Sequence, residues 1–142
     1  MAGIERNASS TWKGNLKEGS GLISAPSGVL NQTPFGFATR FENAKGTNPE
    51  ELIAAAHAAC FSMAFANYLS EKGHQPEEIT TRATITLEGT SITKMHLETQ
   101  GRVPGVDEAQ FKTLADEAEK ACPVSNLLRN GLQISLDASL MS

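Results

Sequence analysis

The sequence predicts an α+β fold, and three features carry that prediction. Residues 48–72 read as one long apolar helix, and two alternating runs beyond it read as a hairpin. A one-sided helical stripe and a last alternating run then close the chain. With 142 residues and no internal repeat, low-complexity tract or linker, the chain is expected to form a single domain over 1–142.

The first ~45 residues are dense in Gly, Ser, Thr, Asn and Pro. Between the turn residues lie short apolar pieces, "SSTWKGNL", "GSGLISA", "SGVL" and "FGFATRF", which are read as short strands. Asn48 then offers a helix N-cap, Pro49 suits the first helical position, and Glu51 stands where a capping-box acid belongs. Gly73 and Pro76 end the helix near residue 72, after about 24 residues and roughly 36 Å at about 1.5 Å per residue.

In "TTRATITLEG", Ala83, Ile85 and Leu87 alternate with Arg82, Thr84 and Thr86. "SITKMHLETQGRV" puts Met95 and Leu97 on one face, and the short "EGTS" link joins the two runs as a hairpin. Asp107 caps a second helix with Phe111, Leu114, Ala115 and Ala118 at helical spacing. "CPVSNLLRNG" reads as a break at Pro123, a short helix and a glycine stop; Leu132, Ile134, Leu136 and Ala138 alternate as a closing strand.

The long helix is apolar on every side, and such a helix must be enclosed. The strands can cover one side of it, and the second helix is too amphipathic to cover much of the rest. A second copy of the same helix, related by a two-fold axis, is the simplest remaining cover, and the small side chains of "AAAHAAC" permit close approach. A homodimer is therefore expected.

Charge narrows the function. The formal net is −4 with no basic cluster, which gives no footprint for nucleic acid. The N-terminus lacks an apolar signal core, and the run Leu52 to Ala66 falls short of the roughly 20 residues of a bilayer span. The expectation is a soluble cytoplasmic protein without membrane or nucleic-acid partners. In that reducing compartment the two cysteines, Cys60 and Cys122, are not expected as a structural disulfide.

To react, a thiol must ionise, and an ordinary cysteine is only a few per cent thiolate at pH 7. Cys60 lies too deep in its helix for the macrodipole to help, so a cation must come from elsewhere. A partly buried guanidinium can do this where a solvated lysine cannot. Arg40 sits among Phe35, Phe37 and Phe41, in apolar surroundings, although an arginine between phenylalanines also fits a strand residue snorkelling outward. Glu50 and Glu51 suit a helix start; Glu50 is also free to hold a guanidinium by a two-pronged hydrogen bond.

His57, three residues before Cys60, would make a Cys–His hydrolase pair, although a helical histidine among alanines fits packing as well. Cys122 stands at the helix break, where the backbone can shift to bring sulfur to sulfur. Two thiols, one in a rigid helix and one at a hinge, suit a peroxidase with an attacking and a resolving cysteine. Two unrelated buried cysteines remain the alternative. His57, His74 and His96 have no metal-ligand spacing with either cysteine, so no metal is expected.

"GTNPEELIAAAHAACFSMA" together with "CPVSNLL" resembles the osmotically inducible protein C (OsmC) and organic hydroperoxide resistance family. "GVLNQTPFGFATRFENAKGTNPEELI" brings it closer to the osmotically inducible branch. The resemblance spans about Trp12 to Leu136 with no departure at the motif residues. It implies a thiol-dependent peroxidase acting on organic hydroperoxides, and on hydrogen peroxide less well, with no cofactor. Carried onto this chain, it makes Cys60 the peroxidatic thiol, Cys122 the resolving one, Arg40 the activating cation and Glu50 its orienting carboxylate. It also implies an intertwined homodimer of antiparallel sheets around central helices, recycled by an external dithiol of lipoyl type. It assigns His57 no catalytic role. Phe35, Phe37 and Met63 are expected to favour an alkyl or fatty-acyl hydroperoxide.

Two rivals remain: a hydrolase or acyl-transferase using Cys60 with His57, and a non-enzymatic binding dimer with packing thiols.

Overall fold

A computed structural model describes residues 3–141. Its elements are β1 (Ser9–Lys13), β2 (Ser20–Ser24), β3 (Thr33–Phe35), α1 (Phe37–Phe41), α2 (Pro49–Glu71), β4 (Glu78–Glu88), β5 (Ser91–Arg102), α3 (Glu108–Glu119), α4 (Pro123–Leu128) and β6 (Gln133–Leu140). The predicted α+β class holds. The chain forms two compact units that divide inside α2, Met1–Leu52 and Ile53–Ser142.

The first unit carries the antiparallel sheet β1-β2-β3. Two of the short strands expected there are corrected. "SGVL" is a turn, closed by Gly28 and Leu30 against Ala25, with Gly28 at φ +84, a conformation glycine adopts without strain. "FGFATRF" ends its strand at Phe35 and turns into α1, so Arg40 is a helical residue. The Gly36 N–H donates to Thr39 Oγ1 (2.9 Å), which starts this helix without a capping side chain at Gly36. Asn48 Nδ2 donates to the Thr39 carbonyl (2.9 Å) and ties the helix to the start of α2.

Long helix α2 begins as expected: Asn48 Oδ1 accepts from the Glu51 N–H at 2.8 Å. It ends where Gly73, at φ +88, breaks the pattern. By length and composition it would pass for a membrane span, having an 18-residue window of mean hydropathy 1.4, longer than the run expected from sequence. Its stripe His57, Phe61, Phe65 and Leu69 is nevertheless fully buried in the second unit, so this face belongs to a protein core. Phe65 lies against Phe61 and against Phe111 of α3, with ring centroids 5.6 and 5.0 Å apart. Along the opposite stripe Ala55, Ala56, Ala59 and Asn67 are exposed, and Met63 is 74% exposed. The second unit therefore encloses only one side of this helix.

The second sheet has the order β4-β5-β6. β4 and β5 form the expected hairpin, Glu88 pairing with Ser91 across a two-residue loop that has Gly89 at φ +62. Met95, Leu97 and Thr99 of β5 face the core. β6 pairs with β5 in parallel, which corrects the expectation of purely antiparallel sheets. The reason is the connection: α3 and α4 fill the crossover between β5 and β6, and a crossover of that length permits parallel pairing. α3 has its expected cap, Asp107 accepting from the Gln110 N–H at 2.8 Å, and buries Phe111, Leu114, Ala115 and Ala118. Phe111 packs so closely on β5 that a Cβ on Gly101 would stand 2.8 Å from its ring.

Candidate active site

The predicted site residues form two pairs, one in each unit. Arg40 reaches Glu50 through the fork expected of a guanidinium and a carboxylate, Nε–H to Oε1 at 3.0 Å and Nη2–H to Oε2 at 2.7 Å. The spacing follows from the local fold, since α1 presents Arg40 while Glu50 lies in the first turn of α2. Hydrogen bonding by Arg40 holds the Glu50 carboxyl below its usual range, against the opposing effect of burial. Glu50 is therefore an anion at neutral pH and can fix the guanidinium's direction. The Arg40 side chain is 37% exposed, so it is fixed but still reachable. Beside it opens a cavity of about 290 Å³ lined by Trp12, Leu16, Phe35, Phe37 and Phe41. Phe35 and Phe37 thus stand where an apolar substrate group could lie, whereas Met63 belongs to the uncovered stripe of α2.

In the second unit Cys60 and Cys122 are free thiols with their sulfurs 3.4 Å apart, the Cys122 S–H pointing to the Cys60 sulfur. Cys60 is half-buried on α2; Cys122 is fully buried at the N-cap of α4. Burial pushes the Cys60 thiol up, and its contact with Cys122 adds to the rise, while the Val124 backbone N–H works the other way. Among the described residues, the groups acting on this sulfur include no cation, so the second unit by itself does not produce the thiolate that the sequence argument requires.

His57 does not pair with the thiol. Its Nε2 lies 2.6 Å from Ser125 Oγ on α4, and its Nδ1 is buried with no partner among the described residues. Burial lowers the His57 pKa, so the ring is neutral at physiological pH. Neither ring nitrogen is set to take the Cys60 proton, which removes the geometric basis of a Cys–His hydrolase.

Sequence reasoning missed the ion pair at the same helix break. Glu119, at the end of α3, takes a two-pronged hydrogen bond from Arg129 (2.9 and 2.8 Å) and another from Lys120 Nζ at 3.0 Å. Burial would raise its carboxyl, but the hydrogen bonds from Arg129, Lys120 and Ser125 prevail and hold it at about 2. No sequence signal marked this pair, because an acid near a helix end and an arginine after a short helix are both ordinary.

A family model described as OsmC-like protein matches residues 42–137. The chain is 48% identical to peroxiredoxin OsmC of Escherichia coli (strain K12), covering 98% of this chain and 99% of that one. It is 36% identical to the organic hydroperoxide resistance protein of Xanthomonas axonopodis pv. citri (strain 306), over 64% of this chain and 66% of that protein. The crystal structure of the organic hydroperoxide resistance protein OhrB of Bacillus subtilis superposes with a TM-score of 0.69 at 25% identity, covering 94% of this chain and 98% of that one.

Proposed function

Because this chain belongs to the OsmC-like protein family, we propose that it is a cysteine-based peroxidase that reduces organic hydroperoxides, and hydrogen peroxide less efficiently, as a single OsmC-like domain over 1–142. The observation that carries the reading is the 3.4 Å approach of two reduced sulfurs, Cys60 and Cys122, one on a rigid helix and one at a helix break.

In the proposed mechanism the Cys60 thiolate attacks the distal oxygen of ROOH. The O–O bond breaks, the alkoxide leaves and takes up a proton as ROH, and Cys60 becomes a sulfenic acid. Arg40, from the same chain or its partner, supplies the cation that the sulfur needs and then stabilises the developing oxyanion. Glu50 keeps the guanidinium aimed. Cys122 then forms the Cys60–Cys122 disulfide, and an external dithiol, for which a lipoyl-type compound is chemically suited, reduces it by exchange. The apolar cavity beside Arg40 suits a hydroperoxide with an alkyl or aryl group. No cofactor is required, since sulfur carries the electrons. Thiols that cycle through a reductant suit the cytoplasm.

The working unit in this reading is a homodimer. An α2 stripe of Ala55, Ala56, Ala59 and Met63 stands open to solvent, and among the described residues the buried hydrophobic side chains all lie beyond Leu52. A second copy would cover the first and reinforce the N-terminal sheet.

The test is a titration of reduced protein with cumene hydroperoxide, with free thiols counted by mass. Loss of two thiols per chain, with a Cys60–Cys122 link, is expected. Cys60→Ser should be inert, and Cys122→Ser should react once and then stall as the sulfenic acid or its over-oxidised forms. Turnover by Cys60→Ser in the presence of a dithiol would refute the reading.

A further inference from the structure

His57 and Ser125 have no part in the mechanism so far, yet both are fully buried and bonded to each other at 2.6 Å. The bond joins α2 to α4, the two helices that also carry the sulfurs. His57 stands one turn before Cys60, and Ser125 one turn after Cys122. The hydrogen bond and the sulfur pair are thus adjacent rungs between the same two helices.

The far end of α4 is anchored separately. Arg129, its C-cap residue, holds Glu119 with two hydrogen bonds and accepts further fixing from Asn126, whose Oδ1 lies 2.9 Å from Arg129 Nη2. Asn126 Nδ2 in turn donates to the Lys120 carbonyl at 3.1 Å. Ser125 also helps to hold the Glu119 carboxyl down, and its Oγ shares with His57 Nε2 a hydrogen bond whose direction follows the imidazole tautomer. The charged groups facing His57 are Glu119 and Arg129. Together these contacts bracket the Lys120–Cys122 segment at both ends.

Packing alone does not account for this arrangement. A buried Nδ1 with no partner among the described residues is a cost that an apolar pair of similar volume would avoid. A hydrogen bond adds what such a pair lacks, a fixed distance and direction between the two helices. We propose that His57 and Ser125 are positioning residues for the resolving step: they hold the start of α4 against α2 so that the Cys122 sulfur meets the Cys60 sulfenic acid. The Glu119–Arg129 pair anchors the other end of that helix.

The inference rests on the peroxidase reading. In the step concerned, the Cys122 sulfur attacks the Cys60 sulfur and an S–S bond forms as the S–O bond breaks. The oxygen leaves as hydroxide and takes the Cys122 thiol proton, giving water. The sulfurs start 3.4 Å apart and a disulfide is about 2.05 Å long, so an approach of roughly 1.3 Å completes the bond. So short a closure is fast only while α4 stays in register. The first oxidation takes place on Cys60 of α2, and α4 acts on that thiol only through two opposing contacts, the Val124 N–H lowering it and Cys122 raising it.

Quench-flow with one equivalent of cumene hydroperoxide, read by alkylation and mass, separates the two steps. Ser125→Ala and His57→Leu should slow disulfide formation about tenfold or more while leaving Cys60 oxidation within about twofold. Excess peroxide should then trap more Cys60 as sulfinic acid. His57→Gln, whose amide can either donate to or accept from Ser125 Oγ, should restore most of the rate. Unchanged disulfide formation in Ser125→Ala, equal slowing of both steps, or a His57→Gln variant as slow as His57→Leu would overturn the inference. Absence of any Cys60 oxidation in the wild-type protein would instead sink the peroxidase reading and this inference with it.

Discussion

Arg129→Met tests how much the helix break that carries Cys122 depends on one ion pair. The Glu119 carboxyl stands at about 2 against an ordinary 4.5. That difference corresponds to about 3 kcal/mol of preferential stabilisation of the anion in the folded state. Because the folded value is the lower one, this stability is present above pH 4.5 and is lost as pH falls towards about 2. The same pair raises Arg129, and that effect is not added a second time. Methionine keeps the packing of the arginine stem but leaves a buried carboxylate with Lys120, which is 70% exposed, and Ser125. The expected loss at pH 7 is about 2 to 3 kcal/mol, below that of a fully enclosed pair because Arg129 itself is 34% exposed. The assay is urea unfolding of phosphine-reduced protein at one fixed protomer concentration, at pH 7 and again near pH 2.5. The gap between variant and wild type should shrink strongly at the acid end, where the unfolded chain has Glu119 protonated and the folded wild type begins to take up the proton. A gap under about 0.5 kcal/mol at pH 7, or one of the same size at both pH values, would refute the reasoning.

Three shorter predictions follow from the same contacts. Glu50→Gln removes the charge that holds the Arg40 fork, and Cys60 oxidation by cumene hydroperoxide should slow about 10- to 100-fold in stopped-flow; an unchanged rate would remove Glu50 from the site. Gly101→Ala would set a methyl 2.8 Å from the Phe111 ring and 2.9 Å from Ile79, and should cost about 1–3 kcal/mol in thermal unfolding. Met63→Glu places a charge on the open stripe of α2 and should shift the protein from dimer to monomer in sedimentation velocity.

The parts legible in the sequence are those fixed by local chemistry. Asn48, Pro49 and Gly73 delimit α2, Asp107 starts α3, and Gly89 closes the hairpin, because each acts on backbone groups within a few residues. Cys60 and Cys122 were legible as a pair only through their motifs, and their 3.4 Å separation is a matter of tertiary packing. "FGFATRF" alternates like a strand, yet Arg40 binds Glu50 and Asn48 binds the Thr39 carbonyl, and these longer-range bonds favour a helix. β6 has the alternation of any half-buried strand, which says nothing about direction; the crossover through α3 and α4 decides it. Ser125 and Glu119 gave no strong signal because a serine in a short helix and an acid near a helix end are both ordinary.

The charge state of one sulfur remains the point on which the proposed chemistry turns. Burial and the neighbouring Cys122 raise the Cys60 thiol, and the Val124 N–H offsets only part of that rise. Left with these groups alone, Cys60 would be mostly protonated at neutral pH and slow towards any electrophile. Arg40, already oriented by an anionic Glu50, is the cation assigned to reverse this. Alkylation of Cys60 in Cys122→Ser, followed against pH by mass, measures the balance. In that background the titration should lie at lower pH with Arg40 present than in Arg40→Met, and alkylation at pH 7 should be faster, by about tenfold for each ~1.4 kcal/mol of anion stabilisation removed. Arg40→Lys should fall close to Arg40→Met, since an ammonium cannot reproduce the two-pronged hold on Glu50. Overlapping curves for all three proteins would mean that the guanidinium does not reach the sulfur of its own chain or of a partner, and the activation of Cys60 would then need another source.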